Sequence, residues 1–224
     1  QNLPVIIAVD RAGLVGSDGP THQGLYDLSM TLNLPNLAIM APATAIDLER
    51  CLLHAHEYNG PVMIRYPRDL ASTVDLISID QNMVEAKSFE DLQKIRHVRP
   101  GSDLTVLAVG PMIFQVLLAI DSYIGTDYSI DLYSVLSIKP LEADVVLKST
   151  KKTGKLLIVE DGCLNNGFGQ NLAAAISELQ PGIVIKAIGV KDVLRGQATR
   201  AELFQAEGLD PEGLAQSIMK IIGR

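Results

Sequence analysis

Val5-Ile6-Ile7-Ala8-Val9-Asp10-Arg11-Ala12-Gly13-Leu14-Val15-Gly16-Ser17-Asp18-Gly19-Pro20-Thr21-His22-Gln23-Gly24 opens the chain as an apolar run that breaks into a glycine-rich loop. A run of apolar residues without alternation reads as a strand buried on both faces, the pattern of a parallel sheet. Open α/β sheets place their ligands in the loops at the carboxyl ends of such strands. This loop holds a cation, Arg11, an anion, Asp18, and an imidazole, His22, between its glycines. It is taken as the chemical centre of the chain.

Outward from the loop, Leu25 to Leu32 reads as a short helix and Leu37-Ala38-Ile39-Met40 as a second strand. Thr44 with Asp47 three residues on resembles a helix-starting capping box. Leu48, Cys51, Leu52 and Ala55 then mark one apolar face of the helix that follows. Pro61-Val62-Met63-Ile64 is a third strand, delivering Arg65-Tyr66-Pro67-Arg68 at its carboxyl end. Strand–helix–strand–helix–strand at this spacing predicts a parallel sheet covered by helices.

Residues 69–101 carry mixed charge and no long periodic run, and are read as a linker. Lys87-Ser88-Phe89 and Ile95-Arg96-His97-Val98 are predicted short strands within it, forming a hairpin-like entry to the next domain. The second half alternates again. Strands are predicted at Leu104–Val109, Ile130–Val135, Lys155–Val159 and Ile183–Ile188. Helices are marked by Ile113, Val116, Leu117 and Ile120, by residues 143–149, by Leu172, Ala175, Ile176 and Leu179, and by Leu214, Ile218 and Ile221. This half is expected to be a complete four-strand α/β unit with its own core.

The 224 residues are 47% hydrophobic and 20% charged, enough to build a real core. The net charge of −7 argues against general nucleic-acid binding, which needs a basic surface. A few local arginines still suffice to bind an anionic substrate. No apolar run approaches the roughly 18–20 residues that span a bilayer, so no membrane partner is expected. The cysteines Cys51 and Cys163 have neither zinc nor disulfide-framework spacing, which fits a reducing, cytoplasmic compartment. Cys51 reads as a core residue and Cys163 as a turn residue open to solvent. The start at Gln1, entering a strand almost at once, reads as the carboxyl portion of a longer polypeptide whose upstream part supplies neighbours to the first strand, so the first sheet is expected to expose apolar edges and to self-associate.

The chemistry centres on two strand ends. An imidazole near a carboxylate moves protons around neutral pH, which suits His22 and Asp18. A guanidinium holds phosphate or carboxylate in a fork. Arg11 and Arg68 sit on neighbouring strand ends and are expected to form one anion clamp, with Arg65 as a structural ion pair. Gly162-Cys163-Leu164-Asn165-Asn166-Gly167-Phe168-Gly169 joins a strand to a helix but matches neither nucleotide fingerprint. Tight turning and close packing account for it better. Glu160-Asp161 before it suits a domain or subunit contact. His54 and His56 are two apart on a helix and point in different directions. With the lone His97, they are read as non-catalytic.

The motifs Asp10-Arg11-Ala12-Gly13, Gly16-Ser17-Asp18-Gly19-Pro20-Thr21-His22-Gln23-Gly24, Met40-Ala41-Pro42 and Arg65-Tyr66-Pro67-Arg68 resemble the 1-deoxy-D-xylulose-5-phosphate synthase family. These are thiamine-diphosphate enzymes of the transketolase superfamily. The resemblance covers essentially the whole chain. It implies the end of a parallel-sheet, pyrimidine-binding α/β domain (residues 1–75), a linker (76–100) and a transketolase C-terminal-like α/β domain (101–224). It implies condensation of pyruvate with D-glyceraldehyde 3-phosphate and loss of carbon dioxide, feeding isoprenoid and thiamine synthesis, in a homodimer. His22 and Asp18 would then be catalytic, managing protons and substrate hydroxyls, and Arg11 and Arg68 would bind the substrate phosphate. Thiamine diphosphate and Mg²⁺ would be held by an amino-terminal portion whose Gly-Asp-Gly motif with its Asn partner does not occur here. The chain alone is therefore expected to bind no cofactor and to be inactive. Asp69 stands where that family more often has Gly.

Three alternatives stand beside this reading: a split transketolase, a β-like subunit of a 2-oxo acid dehydrogenase, and a non-catalytic dimerisation module. Arg11 and the continuation after Gly24 argue against the first two. The full polar set of the loop argues against the third.

Overall fold

A computed structural model describes residues 2–73, 76, 86–191 and 196–223. In chain order the elements are β1 (Ile6–Val9), a single 3-10 turn (Pro20–His22), α1 (Asp27–Thr31), β2 (Ala38–Met40), α2 (Ala45–Glu57), β3 (Val62–Arg65), α3 (Phe89–Leu92), β4 (Arg96–Arg99), β5 (Leu104–Val109) and α4 (Met112–Ala119). A π turn (Ile120–Ile124) extends α4. Then come β6 (Ile130–Val135), β7 (Ser137–Lys139), α5 (Ala143–Thr153), β8 (Lys155–Cys163), α6 (Phe168–Leu179), β9 (Val184–Val190), α7 (Arg200–Glu207) and α8 (Pro211–Ile222). Residues 77–85, inside the expected linker, lie outside the described residues.

The elements form two sheets. The first has the order β1-β3-β2-β7 and the second β4-β6-β5-β8-β9. β1, β2 and β3 run parallel, and β5, β6, β8 and β9 run parallel. β7 joins β2 antiparallel and β4 joins β6 antiparallel. The protein is thus α/β throughout, with a mostly parallel sheet in each half.

The structure departs from several expectations. Lys87–Phe89 is not a strand: the Ser88 hydroxyl accepts from the Asp91 backbone N–H at 3.3 Å and starts α3 instead. β4 forms no hairpin, because its partner is the distant β6. The second sheet has five strands rather than four, and the Ser-Ile-Lys of β7 crosses to the first sheet. The core is not separate either. Ile39 and Met63 of the first sheet share one apolar cluster with Leu107, Val109 and Val135 of the second. Leu14, Leu25 and Ala43 belong to the cluster under α4 and α8. Leu52 and Leu179, placed on buried faces by periodicity, are exposed.

The opening strand has a buried-type pattern, and it shows the exposed apolar edge expected of this sheet. β1 is an edge strand, and Val5, Ile6 and Ile7 are 47%, 37% and 44% exposed. Successive side chains point to opposite faces, so both faces of this apolar strand meet solvent. By contrast, all four residues of β3 are buried between β1 and β2. Among the described residues no helix is long and apolar enough to cross a membrane.

Candidate active site

β1 and β3 run parallel in register from Ile6 with Val62 to Val9 with Arg65, so their carboxyl ends open on the same side. The chain leaving β1 reverses at Arg11, whose φ is 56°, and the Ala12 N–H donates to the Tyr66 carbonyl at 3.0 Å. The loop is closed at its neck by two backbone hydrogen bonds between Gly13 and Gly24, at 2.8 and 3.0 Å. A Cβ on Gly24 would lie 2.0 Å from the Arg11 carbonyl oxygen, so only glycine fits there. Inside the loop, the Gln23 side-chain oxygen accepts from the Val15 N–H at 2.7 Å.

This folding brings three of the four expected residues together. Arg11 Nε donates to Asp18 Oδ2 at 3.2 Å, and Arg68 Nη1 donates to Asp18 Oδ1. Arg11 Nη1 also donates to Asp10 at 2.5 Å. One carboxylate thus bridges two guanidiniums from adjacent strand ends. The hydrogen bonds from Arg68 and then Arg11 hold the Asp18 carboxyl below the usual carboxylate range. The bond to Asp18, then the charge of Asp10, holds Arg11 above its ordinary value. Asp18 is therefore ionised at neutral pH and serves as counterion of the arginine pair.

His22 stands apart from that cluster. It is exposed on the 3-10 turn, and its Nδ1 lies 3.0 Å from the Thr21 hydroxyl. No hydrogen bond joins His22 to Asp18. Its exposed ring and the bridged carboxylate open onto the same loop, but they have different partners.

Beneath the loop lies a buried ion triad. Arg65 donates from Nε to Asp27 at 2.6 Å and from Nη1 to Asp161 at 2.9 Å. Burial pulls its guanidinium down, but Asp161 and Asp27 outweigh that and hold it above the ordinary range. Arg65 is the structural ion pair that its sequence position suggests, and Asp161, on β8, makes it a tie between the two halves. A Cβ on Gly13 would strike the Asp161 carboxylate at 2.4 Å, so the loop rests directly on this triad.

The Gly162–Gly169 turn is packed shut. Glu160 is buried and accepts from the N–H groups of Phe168 at 3.1 Å and Gly169 at 2.8 Å. The protein's own carboxylate fills the helix start where a phosphate would sit. Burial pushes the Glu160 carboxyl up to about 7. Cys163 is buried at 2% exposure rather than open to solvent, because β8 continues through it. His97 is not alone: its Nε2 lies 2.8 Å from the buried Asp131, and its ring stacks on Tyr133.

Of the next pair, the sequence marked Asp69 as a departure from the family and did not mark Arg200. Asp69 pairs with Arg200 of α7 at 2.7 Å, and Arg200 Nε donates to the Leu14 carbonyl at 3.0 Å. Both line a cavity of about 450 Å³ beside the Arg68 strand end, walled by Tyr66, Pro67, Leu70 and Phe114. The pairing spans 131 residues of sequence, and no local pattern announces it.

Among the described residues no cluster of three or more His, Cys, Asp or Glu side chains is arranged to hold a metal ion. At the start of α6 the amides are already taken by Glu160. On the first loop the described residues supply a paired-arginine anion site with a carboxylate and an imidazole.

Comparison with known proteins agrees with this architecture. Residues 1–73 match the family model of the transketolase pyrimidine binding domain, and residues 93–214 match that of the transketolase C-terminal domain. The 1-deoxy-D-xylulose-5-phosphate synthase of Syntrophotalea carbinolica is 33% identical over 97% of this chain and 33% of its own length. That of Synechococcus elongatus is 33% identical over 100% of this chain and 34% of its own. 1-Deoxy-D-xylulose-5-phosphate synthase 1 of Geobacter metallireducens is 35% identical over 97% of this chain and 34% of its own. The chain thus spans about a third of the length of these relatives. A solved split-gene transketolase, an inactive β4 tetramer, has a TM-score of 0.81 and 24% identity, over 99% of this chain and 68% of that one. With its parallel sheets, its strand-end loop and both family domains in sequence order, the chain belongs to the transketolase family.

Proposed function

We propose that this chain carries the substrate-phosphate side of a 1-deoxy-D-xylulose-5-phosphate synthase. The whole enzyme would condense pyruvate with D-glyceraldehyde 3-phosphate and release carbon dioxide. The observation that carries the reading is the sharing of one carboxylate by Arg11 and Arg68. Two guanidiniums from adjacent strand ends already converge on an anion. A phosphate monoester offers the same acceptors with more charge, and would replace Asp18 between them. The relatives whose names include this synthase activity support the same substrate class.

In this reading Arg11 and Arg68 bind the phosphate and fix the aldehyde end of the substrate. Asp18, released from the pair, accepts from a substrate hydroxyl. His22, on the open side of the turn, moves the proton at the reacting oxygen. Thiamine diphosphate, with Mg²⁺, supplies the carbanion chemistry when bound. An amino-terminal portion would hold it. The division into residues 1–75, 76–100 and 101–224 belongs to this proposal, as do a homodimeric, cytoplasmic enzyme and a role in isoprenoid and thiamine precursor synthesis.

Two measurements test the reading. Calorimetry of the chain with thiamine diphosphate and Mg²⁺ should show no binding. Micromolar binding would overturn the requirement for an amino-terminal portion. The chain assembled with such a portion should form product from pyruvate and glyceraldehyde 3-phosphate. Turnover only with ketose donors would instead assign a split transketolase.

A further inference from the structure

The glycine-rich loop is held from outside by a segment of the second half, residues 197–200. Gln197 Nε2 donates to the Ser17 carbonyl at 2.8 Å. Gly16, at φ +82°, passes so close that a Cβ would lie 2.8 Å from the Arg200 backbone nitrogen. Arg200 Nε donates to the Leu14 carbonyl at 3.0 Å. The same guanidinium reaches the strand end carrying Arg68, where Nη1 meets Asp69 Oδ2 at 2.7 Å. Its carbon lies 4.3 Å from the centroid of the Phe204 ring, a cation–π contact that fixes the guanidinium plane against α7. Arg200 is only 19% exposed, whereas Asp69 is 48% exposed. The rigid partner is therefore the arginine.

One side chain of α7 thus holds both walls of the anion site. Leu14 leads to Asp18 along the loop, and Asp69 follows Arg68 directly. We propose that Arg200 is a positioning residue that sets, from the C-terminal domain, the spacing between the loop and the Arg68 strand end. The inference deepens the phosphate-clamp reading and rests on it for its functional meaning, while the geometric coupling is testable by itself. It also gives the C-terminal domain a task in the chemistry of the first.

The experiment follows the Asp18 carboxyl by carbon-13 NMR through an acid titration of the chain. Asp18 is faced by Arg11 and Arg68, with Asp10 beyond Arg11, and these remain unchanged in the variants. Arg200→Ala and Asp69→Ala each cut the tie from one side. If Arg200 positions Arg68, both substitutions raise the Asp18 midpoint, by about half a pH unit, and the double variant goes no further. Arg200→Lys, which keeps the charge opposite Asp69, restores part of the shift. A purely through-space charge effect behaves otherwise, because removing the Asp69 anion would lower the Asp18 midpoint. A fall or no change with Asp69→Ala overturns the proposal.

Titration with inorganic phosphate forms the second arm. Phosphate should shift the Asp18 signal in the native chain and not in Arg68→Ala. Absence of an Arg68-dependent shift would sink the clamp reading and leave the positioning result to be judged by the first arm.

Discussion

Asp18 shows how a single residue changes meaning between sequence and structure. Read along the loop, it pairs naturally with His22 four residues on, as a proton-handling couple. In the folded chain it bridges Arg11 and Arg68, and His22 bonds to Thr21 instead. The convergence of the arginines was legible because parallel strands end together. The bridging carboxylate was not, because Arg68 is fifty positions away from it in sequence. Arg65 was legible as an ion pair for the opposite reason: a charge inside an apolar strand must have a partner. Its partners were not. Arg65→Ala leaves Asp27 and Asp161 buried without a cation, a cost of about 3–5 kcal/mol. Urea denaturation should show that loss, with partial recovery in Arg65→Lys.

Glu160 gives a prediction with a sign. Its carboxyl sits at about 7 in the folded chain, against an ordinary value of 4.5. A group raised in this way contributes stability that is full below the unfolded value and is lost as pH rises through the folded one. The native chain should therefore lose stability between about pH 5 and pH 8. Glu160→Gln should lose less over the same range, measured by denaturation at both ends. An identical pH slope in the variant would mean that Glu160 does not titrate there.

At the scale of elements, the apolar strands and the periodic helices were readable, down to the three residues of β2, and α3, β7 and α7 were not. β5 and β6 are continuous buried runs that periodicity finds at once. The start of α2 was also legible, since the Thr44 hydroxyl accepts from the Asp47 N–H at 3.0 Å. β8 was read only to Val159, because Glu160-Asp161-Gly162 looks like a turn. It stays a buried strand with Arg65 paired to Asp161 through Oδ1 and the α6 amides bonded to Glu160. α7 was missed. It buries only the adjacent Leu203 and Phe204 with Glu207, so its surface carries no helical stripe. β1 was found, and its exposed apolar edge was expected, because the pattern of a strand says what its faces need and not what covers them. An apolar strand with a free edge is a template for association. Sedimentation should show concentration-dependent self-association of the chain, and Ile7→Lys should reduce it. Equal association in both would place the contact elsewhere.

Across the whole molecule, the two family domains share their interior. Ile39 and Met63 pack in one cluster with Leu107 and Val135, β7 crosses into the first sheet, and Arg65 joins Asp27 to Asp161. Sequence reading found both α/β halves, yet treated them as separate units. Contacts between halves leave no periodic trace in either one. Their consequence is functional, because the loop bearing Asp18 rests on β8 below and on the Arg200 segment at its side.

We propose that Arg11 and Arg68 form the phosphate site of a synthase. Steady-state kinetics of the assembled enzyme with pyruvate and glyceraldehyde 3-phosphate test it most directly. Arg68→Ala should raise the KM for glyceraldehyde 3-phosphate by about tenfold or more, the equivalent of one charge-assisted pair, with the KM for pyruvate little changed. An unchanged KM for glyceraldehyde 3-phosphate, or no product from this substrate pair in the native enzyme, would contradict it.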